Sequence, residues 1–443
     1  MGLRVTNQRK RVIFSSFGFK SKYAESTEYK LDENLKNALS LDIKTDKYLN
    51  MTDIYLKNFE NKNAEFVFFS TEAAKNNQLD ILKDFKKDKY ELIIFDEKKH
   101  EELLNKLIKK IQDIEKNHER TDIIIDITHG FRDTTSVGLL AGLIEYSFSR
   151  EDKKDNKMNF IFAKEFKDND GVKFYTITSL NNYADVLKLS FILNTFKNTL
   201  KIIKSDVEHN FYKELVKLSD SVFENNIKEI QKAYKKLVVE KENISKNPND
   251  IFFALLPMIE DILNELKEFD NFSDGSDYKD YFILCNLYLK KNYALNAAGF
   301  MLEGFQIRLW QYFMPNIAYD YAELQRVKNM LFVCVDGLKD ENKGKDEKQK
   351  ILANKLANYK YNEQEKTLFS KLLEYRKSVA KYRNDMSHIS PNMKDKNGKK
   401  VDILEELKKI FILIQKIKIE ELALIRADIK AIIKEYLSYE PKE

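Results

Sequence analysis

The stretch Asp122–Phe148, DIIIDITHGFRDTTSVGLLAGLIEYSF, decides how this chain folds. Ile123, Ile124 and Ile125 are apolar on consecutive positions, the pattern of a strand buried on both faces rather than one with a solvated side. The run ends at Asp126. A short turn then holds Thr128, His129, Gly130, Phe131 and Arg132, and Asp133, Thr134 or Thr135 can cap the helix that the following apolar residues predict. In open α/β sheets the ligand crevice lies outside the carboxyl ends of the strands, and an exposed helix N-terminus there favours anions. The turn offers a hydroxyl, an imidazole, a guanidinium and a glycine that lets a ligand approach the backbone, which suits a ligand built of phosphates and bases. It is neither a dinucleotide fingerprint, having one glycine where three are needed, nor a P-loop. The plainer reading is that Asp126 and Thr128 shape a tight turn and His129 is satisfied locally.

Working outward, apolar β-branched or aromatic runs recur at RVIFSSF (11–17), AEFVFFS (64–70), YELIIFD (90–96), TDIIIDI (121–127), MNFIFAKEF (158–166) and VKFYTITSL (172–180). Amphipathic segments such as Glu101–Lys116 separate them, and this alternation predicts a mostly parallel sheet covered by helices. The last two runs, joined through Asp168, Asn169, Asp170 and Gly171, read as an antiparallel hairpin at one end of the sheet. The first run ends in Ser15, Ser16, Phe17, Gly18 and Phe19, and the second in Ser70, Thr71 and Glu72. With the turn after Asp126 they predict one shelf of small hydroxyl residues.

Beyond residue 180 apolar residues recur at three- and four-residue spacing, so long helices take over. Asn, Ser and Pro248 interrupt the pattern near 241–250. The reading is an α/β domain over 1–180, a helical connector over 181–250 and an all-α domain over 251–443, with 337–350 a solvated loop. With 43% hydrophobic and 12% aromatic residues among 443, the chain has ample material for cores. Its 76 basic and 71 acidic residues leave a net charge of +5, which permits nucleic-acid binding without arguing for it. Two cysteines without CxxC spacing fit a reducing compartment. No apolar run reaches the roughly 18 residues of a membrane span, and the first residues lack the apolar core of a signal peptide, so a soluble cytoplasmic protein is expected.

A second chemically loaded stretch is Lys381–Pro391, KYRNDMSHISP. Upstream, residues 364–385 are amphipathic and strongly helical, and Pro391 biases Ser390 away from helix, which puts His388 near the helix's end. A histidine titrating near pH 6.5 can take the proton of a ribose 2′-hydroxyl, and an arginine can stabilise the charge that develops on phosphorus. That chemistry needs no metal, and His100, His118, His129 and His209 show no ligand spacing. Arg383 and His388 are five positions apart, about 140° around a helix, so two copies of the helix facing each other would bring the pair together more readily than one. The bland alternative pairs Arg383 with Asp385 and leaves His388 to complement the helix dipole.

Taken together, DITHG after a buried strand and RNDMSH at the end of a helical domain, in that order, resemble the CRISPR-associated CARF–HEPN ribonucleases of type III systems. The resemblance implies a Rossmann-like, dimeric CARF domain that binds a cyclic oligoadenylate, and an all-helical HEPN domain that cuts single-stranded RNA without a metal or other cofactor. It makes Arg383, Asn384 and His388 catalytic. It also makes Ser16, Phe17, Gly18, Phe19, Thr71, Asp126, Thr128, His129, Gly130, Phe131, Arg132 and Asp133 the lining of the messenger pocket. In the first loop the family commonly sets Thr or Asn beside its glycine, whereas Phe19 and Lys20 follow Gly18 here. Glu303, in NYALNAAGFMLEGF, lies on what resembles the helix that packs beside the catalytic one and is expected to support it. The competing reading is a non-catalytic sensor of cyclic oligonucleotides that regulates a partner protein. Control of transcription fits less well, because the C-terminal helices carry no basic recognition face.

Overall fold

A computed structural model describes residues 10–17, 26–32, 35, 46–59, 64–76, 90–118, 120–128, 132–147, 156–205, 207–273, 275–319, 321–336, 347–387, 402–417 and 419–438. The N-terminal elements run β1 (Lys10–Ser16), β2 (Thr27–Leu31), β3 (Asp46–Tyr48), α1 (Met51–Phe59), β4 (Ala64–Ser70) and β5 (Tyr90–Ile94). They continue through α2 (His100–Asn117), β6 (Thr121–Asp126), α3 (Arg132–Ser147), β7 (Lys157–Lys167) and β8 (Lys173–Ser179). These strands form one eight-stranded sheet in the order β3-β2-β8-β7-β6-β1-β4-β5.

The consecutive isoleucines of β6 are explained by what covers each face. Ile123 and Ile125, with Val12 and Phe14 of β1 and Val67 and Phe69 of β4, pack against Leu103, Leu107, Ile111 and Ile114 of α2. Ile124, Ile13, Phe66 and Phe68 point the other way and meet Met51, Ile54 and Tyr55 of α1. Successive strand side chains alternate between faces, so a strand covered on both must be apolar throughout. β1, β4, β5, β6 and β7 run parallel to their neighbours in this half of the sheet.

β7 and β8 pair antiparallel as predicted, and their turn closes through Gly171 at φ 78 with the Asp168 carboxylate accepting from Asp170 N and Val172 N. The hairpin is nevertheless internal rather than terminal. β2 adds to β8 in parallel and β3 adds to β2 antiparallel, extending the sheet beyond it. Sequence periodicity misses these two because each is short and only Tyr29 of β2 is buried, with its ring stacked on Tyr175 at 5.0 Å between centroids. Short, polar strands at the edge suit a sheet that must not recruit further strands.

Two compact units follow from the packing: 1–195 with 202–212 and 242–259, and 196–201 with 213–241 and 260–443. The stretch 181–250, read as a connector, is therefore shared between them. The helices are α4 (Asn181–Thr199), α5 (Asn210–Phe223), α6 (Ile227–Ser245), α7 (Leu256–Glu265), α8 (Tyr278–Lys290) and α9 (Ala294–Phe313). After them come α10 (Tyr321–Asp336), α11 (Glu347–Ala357), α12 (Glu363–Ser387), α13 (Ile403–Gln415), α14 (Ile419–Ala423) and α15 (Ala427–Leu437). In the second unit α9 is the central helix, burying Met301, Phe305, Ile307, Leu309 and Trp310, and it packs against α8, α10, α12 and α13. No described helix is long and apolar enough to cross a membrane.

Helix α3 lies directly on the sheet, and a small residue makes that approach possible. A Cβ at Gly142 would stand 2.6 Å from the Phe160 ring and 3.0 Å from Ile125. Gly142→Leu should therefore lower stability by about 1–3 kcal/mol through overpacking. At Gly299, in the middle of α9, a Cβ meets nothing within 4 Å, so Gly299→Ala should raise stability by about 0.5–1 kcal/mol from helix propensity. Urea denaturation of the two variants beside the parent protein measures both.

Candidate functional site

β6, β1 and β4 are adjacent and parallel, so their carboxyl ends come together as one shelf. Ser15 stands opposite Asp126 in register and Ser16 opposite Phe69. Asp126 is buried, and its Oδ2 accepts from Ser15 Oγ at 2.8 Å and from the Tyr55 hydroxyl at 2.7 Å. Its Oδ1 accepts from Thr128 N at 2.9 Å, which turns the chain out of the strand. Thr128 Oγ1 in turn accepts from Ala163 N at 2.9 Å, fixing the turn to β7. On β4, Thr71 Oγ1 accepts from Ala74 N and Ser70 Oγ donates to Thr71 O.

Among the predicted pocket residues, Ser16, Phe17, Thr71 and Asp126 are thus buried at the shelf, with the Phe17 ring stacked on Phe68 at 4.8 Å. Asp133 is exposed in the first turn of α3, whose backbone begins at Arg132. Gly18, Phe19, His129, Gly130 and Phe131 lie outside the described residues, as does the Arg132 side chain. Sequence reasoning misses Tyr55, because a tyrosine at helical spacing in MTDIYLKNF reads as core. Burial, followed by the adjoining Asp126 carboxylate, holds its hydroxyl protonated far above the usual tyrosine range. Tyr55→Phe should cost about 1.5–3 kcal/mol, the range of a hydrogen bond to a charged group. The shift in the chemical-denaturation midpoint at constant slope is the measurement.

The second site is built on α12. Its start is fixed by a reciprocal cap: Glu365 N donates to Asn362 Oδ1 at 2.8 Å and Asn362 N donates to Glu365 Oε2 at 2.9 Å. Leu368, Phe369, Leu372, Leu373 and Val379 bury one face. Past Val379 no residue of the helix is fully buried, and Arg383 and Asn384 are exposed. Ser387 Oγ donates back to Arg383 O at 2.6 Å in the last turn. His388 follows immediately and lies outside the described residues.

Arg383 lines two adjoining clefts of ≈ 340 and ≈ 390 Å³, and Tyr281, Gly299 and Glu303 are common to both. α8 and α9 approach closely where these residues sit, since a Cβ on Gly304 would lie 2.9 Å from the Tyr281 Cβ and 2.8 Å from the Phe282 ring. Glu303, expected to support the catalytic helix, is the carboxylate that Arg383 acts on: burial raises its pKa and the Arg383 charge pulls it partly back. Asp385, two positions away on the same helix, forms no ion pair with Arg383 among the described residues; residues that close in sequence do not face each other on a helix.

The raised Glu303 pKa has a sign that stability measurements can read. The folded state binds its proton more tightly than the unfolded chain, so ionisation costs stability as pH rises from the ordinary glutamate value through the folded pKa. Glu303→Gln, which cannot ionise, should be more stable than the parent above that window. The difference should shrink at acid pH, as seen in thermal melts across a pH series.

No family model matches the chain, and no curated protein matches it. Among solved structures it is similar to Enterococcus italicus Csm6 bound to cyclic hexa-2'-fluoro-hexa-dAMP, over 97% of this chain and 98% of that chain, at 12% identity and a TM-score of 0.34. An overlap of that size carries no residue-level correspondence.

Proposed function

We propose that the chain is a cyclic-oligoadenylate-activated, metal-independent endoribonuclease for single-stranded RNA, acting as a homodimer in the cytoplasm in type III CRISPR antiviral defence. The observation that carries the reading is Arg383, the first residue of the RNxxxH motif. It stands exposed in a cleft where Glu303 is the one carboxylate among the described lining residues, whereas the bland alternative required a neighbour such as Asp385 to consume its charge. The strand-end shelf supplies the other half, an α/β unit in which the chain from Asp126 to Thr128 leaves the sheet where such folds bind ligands.

In this reading the sensor is the unit formed by 1–195 with 202–212 and 242–259, and the nuclease is the unit formed by 196–201 with 213–241 and 260–443. Neutral His388 takes the proton of the 2′-hydroxyl, and the freed oxygen attacks the adjacent phosphorus. Arg383 stabilises the charge that accumulates on the equatorial oxygens, and Asn384 orients the phosphate. The P–O5′ bond breaks, and the leaving oxygen takes up a proton to give a 5′-hydroxyl and a 2′,3′-cyclic phosphate. The messenger binds at the shelf and the turn from Thr128 to Asp133, across the two-fold axis of the dimer.

Incubation of the purified chain with single-stranded RNA, EDTA and a panel of cyclic oligoadenylates tests the reading. Cleavage should appear with one ring size, leave 2′,3′-cyclic phosphate ends and disappear in His388→Ala with Tm unchanged. Cleavage of RNA carrying a 2′-deoxy substitution at the cut site would falsify the mechanism, and messenger binding without any cleavage would favour a non-catalytic sensor.

A further inference from the structure

The cleft that holds Arg383 contains a second guanidinium. Arg376 lies seven positions earlier on α12, and seven residues bring a helix to within about 20° of two full turns, so the two arginines share a face about 10.5 Å apart along the axis. Arg376 is half-buried, and its Nε is enclosed without a hydrogen-bond partner among the described residues. Its guanidinium sits over the Phe332 ring, 5.5 Å from the centroid. Among the described residues no carboxylate pairs with it. The neighbouring Lys377 takes Asp336 at 2.7 Å, and Glu303 is coupled to Arg383. Gln306 and Gln325 line the same cleft, and Gln306 Nε2 donates to Leu324 O at 3.2 Å. Among the described residues, the charged groups lining the cleft are two arginines against one carboxylate.

A half-buried guanidinium that lines a cleft with no carboxylate beside it among the described residues is costly, and an arginine's planar donor fork matches phosphate. We propose that Arg376, with Gln325 beside it, holds a second phosphate of the RNA strand, next to the one engaged by Arg383, and so sets the strand's register in the cleft. The proposal deepens the ribonuclease reading and rests on it for the identity of the strand. Arg376 is a positioning residue: it binds the polymer and leaves the reacting atoms to Arg383 and His388.

The test measures binding of a short fluorescein-labelled single-stranded RNA to the full-length chain carrying His388→Ala, as a function of salt. Removing one cation that neutralises a phosphate should reduce the slope of log K against log salt by about 0.7. Arg376→Met, which keeps the stacking bulk over Phe332, should lower the slope by that amount. Lys232→Met, at an exposed lysine of α6, should leave it unchanged. Tm should not fall in Arg376→Met, because an unpartnered polar group is removed; if the variant does unfold, Arg376→Gln is scored on the same slope. An unchanged slope in Arg376→Met or Arg376→Gln, with Arg383→Met lowering it, overturns the proposal and leaves the ribonuclease reading intact. An equal fall in Lys232→Met also overturns it, since the effect is then bulk charge. A lowered slope at Arg376 in a chain whose His388-bearing form never cuts RNA upholds the phosphate site and sinks the nuclease. Absence of RNA binding by the parent rejects both.

Discussion

The sheet end depends on a single buried carboxylate. Asp126 takes Ser15 of β1, Tyr55 of α1 and the backbone of its own turn onto two oxygens. It thereby ties the central strand, the strand beside it and the helix that covers one face. A buried carboxylate is costly unless its lone pairs are used, and once used it ties each partner to one position. The turn that follows Asp126 leaves the sheet in a direction set by Thr128 N on one side and Ala163 N on the other.

Much of this was legible in the sequence because the strands have both faces covered. Consecutive isoleucines, a closing aspartate and a turn with one glycine place β6 in the middle of a sheet, and hydroxyl residues at the ends of β1 and β4 place the shelf. β2 and β3 were not legible, since strands at the sheet's margin bury too little to print a period: Tyr29 alone is buried in TEYKL. The hairpin was recognised but its position in the sheet was not, because strand order is fixed by contacts between distant segments that no local pattern records. Tyr55 escaped for the opposite reason: its role is a hydroxyl contact across 71 positions, while its spacing is that of ordinary core.

In the helical unit the legible and illegible parts divide along α12. The reciprocal cap at Asn362 and Glu365 and the apolar stripe ending at Val379 follow from spacing alone. What spacing could not give is the partner of Arg383. Glu303 lines the same clefts from α9, near enough for the Arg383 charge to lower its pKa, and the approach of that helix to α8 is set by Gly304 against Tyr281 and Phe282. The sequence suggested Asp385 as the neutralising neighbour because it is close along the chain, whereas helical geometry points residues two apart in different directions.

The two sites differ in how their polar groups are spent. At the shelf, Ser15, Ser70, Thr71, Thr128 and Asp126 are engaged with one another and with the backbone, so their hydrogen-bonding capacity goes into shape. In the cleft the balance is reversed. Among the described residues no carboxylate pairs with Arg376, and the one carboxylate near Arg383 has its own pKa raised by burial. The first arrangement is held by its own hydrogen bonds. The second leaves cationic groups short of partners, which is the condition under which an incoming phosphate gains most, because few internal hydrogen bonds have to be broken to receive it.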